Sequence, residues 1–394
     1  MKDVVILGAT RTAGGKFGGS LAKLGATDFG AKIVAATVER AGIDPALIDQ
    51  TVFGNAWQAG VGPNPARICS VRGGVPTDTP AVSVNVRCGS SLQALFFGAG
   101  AIKAGDARCV MVGGTESASQ IPYALPGARW GERMGNGDMV DLMHKDGFRC
   151  PLGEGLMGEL TDAVAEELGI TREQQDEYAA LSHNRTEAAV DGGKFNDEVV
   201  PIEVPGRKGQ VDVFKDEEIF RRGTKADKLT KLKPVFNKQG TITAGNACAL
   251  CDAAAAQILM DAEMARAEGL EPMAKVRGYA FVGYEPKRFG LSPVKAIPAA
   301  LDRAGLQIGD VDLFELNEAF AAQYLACERQ LNIDRDKANV HGGAIALGHP
   351  VAATGSKILT TLLYAMKDRG ATIGCVSACI GGGNGVALVV ERIN

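Results

Sequence analysis

Residues 83–94 read SVNVRCGSSLQA, and the fold turns on how that stretch is divided. The alternation Ala81-Val82-Ser83-Val84-Asn85-Val86 predicts a buried strand. Arg87 and Cys88 end it, and Gly89-Ser90-Ser91 opens an apolar helix running from Leu92 to about Ala104. Cys88 therefore falls at a strand-to-helix turn, against a helix N-terminus. The unpaired amides and positive dipole end there favour a thiolate over a thiol, which is one way to make a nucleophilic sulfur. A small buried hydrophobe is the other common use of cysteine. On this stretch alone both readings stand.

Outward from it the chain alternates. Val4–Leu7, Gln50–Gly54 and Cys109–Gly113 read as strands, and Thr27–Ala41 and Asn64–Arg72 as helices. Such alternation predicts a mostly parallel sheet covered on both faces. Residues 118–248 are more polar and Gly- and Pro-punctuated, with a capping box at Thr171-Arg-Glu-Gln174 that opens a helix to about Val190. Residues 270–394 resume the alternation: strands at Val311–Glu315, Thr372–Ala378 and Val386–Val390, helices at Glu318–Leu331 and Ser356–Lys367, and an apolar segment from Val340. The outer segments look like copies. Ile102–Gly114 echoes Met366–Ala378, and Val52-Phe-Gly-Asn55 echoes Phe314-Glu-Leu-Asn317. In a duplicated layered fold, ligands gather at the carboxyl ends of strands.

Composition narrows the function classes. The 394 residues carry 42 basic and 46 acidic side chains, a net charge of -4, which offers no global field for nucleic acid. No apolar run reaches the length of a membrane span, the N-terminus enters a strand at once, and the last four residues are not a peroxisomal address, so the cytoplasm is expected. Nine cysteines in such a chain read as reduced thiols. Cys248-Ala-Leu-Cys251 is a lone CxxC beside only four histidines, so no metal site is expected. Arg207–Lys238 holds ten basic against five acidic residues, either a solvated face or a docking surface for a phosphorylated ligand.

Three further stretches fall at strand ends. Leu316-Asn-Glu-Ala-Phe320 offers Asn317, suited to capping the following helix. Val340–Pro350 is a glycine-rich loop carrying His341 and His349. Cys379-Ile-Gly-Gly-Gly383 pairs a second thiol with backbone that a ligand can approach closely. His144 and His183, in the polar middle region, carry no such signal.

Together, N-x-x-C at 85–88, N-E-A-F at 317–320, G-H-P at 348–350 and C-I-G-G-G at 379–383 resemble the signature stretches of thiolases, the acyl-CoA acetyltransferases. Gln58-Ala-Gly, Asn64-Pro-Ala-Arg67, Met157-Gly, Ser182-His183 and Thr243-Ala-Gly-Asn246 match as well, so the resemblance spans nearly the whole chain. It implies two duplicated βαβαβαββ halves in a five-layered α-β-α-β-α core. Residues 1–117 with 249–269 would form the first half, 118–248 a loop domain that docks CoA, and 270–394 the second half.

The resemblance also implies a ping-pong chemistry. Cys88 takes the acyl group, His349 activates it and faces the thioester oxygen, and Cys379 removes the α-proton of acetyl-CoA. Asn317 holds a water at the enolate, and the backbone N–H groups of Cys88 and Gly381 serve the tetrahedral intermediate. The products are a 3-oxoacyl-CoA and CoA, or the reverse by thiolysis, without cofactor, in a homodimer or homotetramer. Both the acetyl-CoA C-acetyltransferase and the acetyl-CoA C-acyltransferase activities fit this description.

On the ligand side Arg221 and Lys228 match positions near the nucleotide phosphates. Phe148, Phe236, Ala244, Ala319 and Phe320 match the pantetheine or acyl channel, next to Met157. Cys248 stands where thiolases usually have a Ser, with Ala249, Cys251 and Ala253 replacing Gly, Asn and Gly. Ala352 and Thr354 stand for the common Gly and Ser, and Ser91 for Gly. Leu156 replaces a frequent His, which predicts a more apolar acyl pocket accepting longer or branched chains. Two rivals remain: a decarboxylating condensing enzyme on the same fold, which would pair its Cys with two His, and a non-catalytic lipid- or CoA-binding protein that has kept the fold, which would lack a signature residue.

Overall fold

The computed structural model describes residues 2–393. Nine principal strands are β1 (Val4–Arg11), β2 (Gln50–Gly54), β3 (Ala81–Val84), β4 (Cys109–Ser117), β5 (Cys251–Asp261), β6 (Ala274–Gly283), β7 (Leu313–Leu316), β8 (Ile373–Ile380) and β9 (Asn384–Arg392). The main helices are α1 (Ala26–Ala41), α2 (Pro65–Arg72), α3 (Ser90–Ala104), α4 (Met157–Glu167), α5 (Arg172–Asp191), α6 (Pro293–Ala304), α7 (Ala321–Leu331) and α8 (Thr354–Arg369).

The strands run β7-β8-β9-β6-β1-β5-β4-β2-β3 across one continuous sheet. Its two halves repeat each other. β3-β2-β4-β5-β1 in the first corresponds to β7-β8-β9-β6 in the second, where Ala338 supplies the missing edge as a single parallel bridge to Phe314. The halves meet edge to edge through only two residue pairs, Val5 with Lys275 and Ile6 with Ala274.

The sheet is mixed, not mostly parallel. Only β2–β3, β2–β4 and β7–β8 run parallel; the other neighbours are antiparallel. The reason is connection length. β8 and β9 are joined by the three glycines 381–383, two of them with positive φ, and so tight a turn returns the chain antiparallel. Strand β3 is also less buried than its pattern suggests. It is the sheet edge, and Val82 is 56% exposed.

Three apolar cores stack the layers. One packs α1 and α2 on the first half of the sheet, another packs α6 and α7 on the second, and a third encloses α3 and α8 between the halves. The central helices explain their own composition. Helix α3 is apolar around most of its girth, as a helix buried on most sides must be, with Phe97 on its narrow exposed strip. Helix α8 carries threonines whose hydroxyls turn onto the backbone: Thr360 Oγ1 donates to Ser356 O at 2.9 Å and Thr354 Oγ1 to Pro350 O at 3.2 Å. Both central helices start at the same end of the sheet, where Gly54 and Gly114 lie so close to Ala352 O that an added Cβ would stand 2.9 and 2.6 Å from it. Between β4 and β5 the polar region supplies α4 and α5, the latter capped by Thr171 Oγ1, which accepts from Gln174 N. Among the described residues no helix is long and apolar enough to cross a membrane.

Candidate active site

The turn carrying Cys88 is held from several sides. Asn85 donates from Nδ2 to Ala56 O at 3.0 Å and accepts from Arg87 N at 3.1 Å. Arg87 takes a positive φ of 57°, a conformation that costs a non-glycine residue about 1 kcal/mol or more. Its guanidinium compensates by bonding the carbonyls of Asp146 and Gly147 and lying 5.1 Å over the Trp57 ring. Cys88 follows in a short 3-10 turn, and Ser90 then ties Val86 N to Arg87 O as α3 begins.

His349 arrives from the other half. Its Nε2 lies 3.2 Å from Cys88 Sγ, and its Nδ1 lies 2.6 Å from Thr354 Oγ1. The Thr354 hydroxyl donates onward to Pro350 O at 3.2 Å. Its oxygen is then left to accept Nδ1–H, which puts the free lone pair of Nε2 toward the sulfur. Burial, then the charges of Lys357 and Arg87, lower His349 to about 3, so the ring is neutral and its Nε2 lone pair is free to accept a proton where it meets Cys88.

The thiol does not rest as a thiolate. Burial pushes Cys88 up, opposed by the Arg87 charge and by the backbone N–H groups of Gly381 and of Cys88 itself. The helix-terminus argument from sequence is outweighed because the sulfur, though only partly buried, packs among apolar neighbours that disfavour its charged form. Cys379, at the end of β8, is buried too. Burial and the neighbouring thiols Cys88, Cys327 and Cys248 hold it well above an ordinary cysteine.

Cys88, His349, Cys379 and Gly381 line one small cavity of about 80 Å³. Met157, Cys248, Ala319, Phe320 and Phe148 complete much of its wall. Asn317 stands just past β7, its N–H given to Ser377 O at 2.9 Å. It caps no helix: α7 begins at Ala321, with Phe320 in the capping position. Both side-chain atoms, Oδ1 and Nδ2, are buried without a protein partner, a costly state for an amide unless a small polar molecule completes it.

Other expected residues lie outside the cavity. Leu156 is half-buried at the start of α4, bonded by its N–H to Glu159. Phe236 packs edge-on against Phe320 at 6.0 Å, behind the wall. Ala244, Arg221 and Lys228 are exposed, and the Arg221 N–H donates to His183 Nδ1 at 3.2 Å. Among the described residues no cluster of His, Cys, Asp and Glu has the makings of a metal site.

Residues 4–263 match the thiolase N-terminal domain and residues 270–392 the thiolase C-terminal domain. The chain belongs to the thiolase family. It is 49% identical to an acetyl-CoA acetyltransferase of Cupriavidus necator and 46% identical to one of Escherichia coli, each alignment covering all of both chains. Among solved structures this thiolase resembles the Bacillus anthracis acetyl-CoA acetyltransferase, with a TM-score of 0.97, 38% identity, and 100% and 99% of the two chains covered. Human mitochondrial 3-ketoacyl-CoA thiolase is as similar, with a TM-score of 0.96, the same identity and the same coverage.

Sequence reasoning passed over several residues of this thiolase's cavity. Trp57, Phe289 and Val351 line it, yet stand in stretches that read as ordinary loop or helix. Glu116 was equally silent. It is fully buried at the end of β4, accepting from the N–H groups of Ala56, Trp57 and Ala352 at 3.0–3.2 Å, and burial raises it to about 7. A carboxyl inside an apolar strand end was the available signal. Thr354 drew notice only as a replacement for Ser, although it is the partner of His349 Nδ1. Thr354→Val is expected to lower kcat/KM about 10- to 100-fold by freeing the imidazole to rotate and change tautomer. Thr354→Ser should stay near the parent, and steady-state kinetics on both variants, with thermal melts to show folding, decides it.

Proposed function

We propose that this thiolase joins an acyl-CoA to acetyl-CoA, giving a 3-oxoacyl-CoA and CoA, and runs the reverse thiolysis at the same site. The observation that carries the reading is the 3.2 Å contact of a neutral His349 with the Cys88 thiol, inside a cavity that a second thiol, Cys379, also lines. Cys88 attacks the thioester carbonyl as His349 Nε2 takes its proton. The tetrahedral oxyanion accepts from the Cys88 and Gly381 N–H groups; losing one such donor costs on the order of 100- to 1000-fold. The departing CoA sulfur takes the Cys379 proton, leaving a thiolate.

That thiolate removes the α-proton of acetyl-CoA. The enolate oxygen is met by the His349 imidazolium and by a water held on the Asn317 amide. The α-carbon then attacks acyl-Cys88, and the released sulfur recovers its proton from His349. All three groups end as they began. The chemistry calls for no metal or redox group, because the thioester already acidifies the α-carbon.

The small cavity, walled by Trp57, Phe148 and Phe289, supports short acyl groups, and relatives bearing the acetyl-CoA acetyltransferase name agree with that. Leu156 stands off the cavity, so a longer-chain preference drawn from it has weaker support. We expect kcat/KM for acetoacetyl-CoA to exceed that for 3-oxohexanoyl-CoA by about tenfold or more, the discrimination a methylene or two provides in a tight apolar pocket. A preference for the longer substrate would return the reading to the acyltransferase alternative. Release of CO2 from a malonyl thioester would instead favour the decarboxylating rival.

The exposed cations Arg221 and Lys228 suit CoA phosphates. The nine unpaired cysteines and the bacterial relatives support a cytoplasmic setting. The open edge of β3, with Val82 and Phe97 more than half exposed beside it, supports at least a homodimer. The test of the central claim is direct: incubated with acetyl-CoA, the intact chain should gain the mass of one acetyl group.

A further inference from the structure

Lys357 is out of place by every local criterion. It lies in the first turn of α8, where the helix dipole disfavours a cation, and it is only 3% exposed. A second buried cation, Arg11, is close enough to repel it. What offsets these costs is specific. Its Nζ donates to Leu347 O at 2.5 Å and to Gly348 O at 3.2 Å, the two carbonyls immediately before His349. Charge balance comes from Glu217 and Glu198, which Arg11 also binds at 2.5 and 2.6 Å.

Backbone bonds hold the loop as well, with Leu347 N–H on Gly343 O at 2.8 Å and Gly348 N–H on Ala344 O at 3.0 Å, but these use the amides and leave the Leu347 and Gly348 carbonyls to Lys357. Gly348 turns through a φ of 83°, open only to glycine without strain, and His349 N–H reaches across to Ala249 O at 3.0 Å. The direction in which the chain leaves Gly348 sets where the imidazole points, so the two carbonyls beside that glycine have to be fixed. We propose that Lys357 is the positioning residue for His349, its buried ammonium fixing the Leu347 and Gly348 carbonyls so that Nε2 meets the Cys88 sulfur. This rests on the role of His349 given above. The same charge adds to the burial that keeps the imidazole neutral.

The experiment is single-turnover acetylation of Cys88 by acetyl-CoA, followed by intact mass, on the parent chain and on Lys357→Met, Lys357→Gln and Lys357→Arg. Displacement of a reacting group by about 1 Å costs about 100-fold, so Lys357→Met should acetylate about 100-fold more slowly at saturating acetyl-CoA. The concentration giving half the maximal rate should stay within about twofold, because the CoA contacts are untouched. Lys357→Gln, which keeps one donor without the charge, should fall between, and Lys357→Arg should recover most of the rate. A folded Lys357→Met that acetylates like the parent overturns the proposal and reduces Lys357 to a structural ion. If the methionine variant does not fold, Lys357→Gln is judged by the same criterion, and a parent-like rate overturns the proposal equally. Failure of the parent chain itself to acetylate would sink the reading of Cys88 and His349 instead.

Discussion

Cys88→Ala gains no acetyl group from acetyl-CoA and loses condensation and thiolysis together, by about 10⁴-fold or more, as removal of a covalent nucleophile does elsewhere. The cause is the loss of the only step that makes an acyl-enzyme. Cys248 and Cys379 share the cavity, but His349 Nε2 is aimed at Cys88, and burial holds the other two sulfurs protonated. Folding should be little affected. Cys88 is only partly buried, and an alanine leaves the Asn85, Arg87 and Ser90 bonds of the turn in place. Intact mass after incubation with acetyl-CoA, beside a melting curve, checks both statements. An acetylated Cys88→Ala chain would move the nucleophile to one of the other thiols.

Cys379→Ala separates the two halves of the reaction. It should still acetylate on Cys88, because that half needs only the sulfur, the imidazole and the N–H donors. It should fail to exchange the α-protons of acetyl-CoA with deuterated water, and condensation should fall by about 10³-fold or more, the upper part of the range for losing a positioned acid-base group. Retained deuterium exchange would refute Cys379 as the base and leave His349 to do both steps. Alanine creates little space here, so a loss of exchange cannot be put down to a collapsed cavity.

The parts of the molecule with local causes were legible. Strand β2 has the bounds its residues predict, and Asn64 and Thr171 cap α2 and α5 as their side chains allow. The duplication was visible too, since Ile102–Gly114 and Met366–Ala378 each hold the end of a central helix and the strand after it. Strand direction was not. Whether β9 turns back on β8 is decided by three glycines, not by the apolar pattern either side of them. Asn317 looked like a cap because a helix follows, but the helix starts four residues later and the amide is left unpartnered. The state of Cys88 was misjudged for the same reason: a helix end is visible in sequence, whereas the apolar surroundings of the sulfur are built by Trp57, Phe148 and Val351 from elsewhere. Trp57, Glu116, Thr354 and Lys357 matter through partners supplied by distant segments, and no spacing rule reaches that far.

The contact between His349 and Cys88 spans 261 positions of chain. On the ribosome the sulfur therefore emerges long before its activator has been made. Until the second half docks, Cys88 lacks the His349 proton acceptor that the proposed chemistry requires. A fragment ending before β6, which lacks His349, is accordingly expected to be inert toward acetyl-CoA, so activity waits on the last stretch of chain to be made.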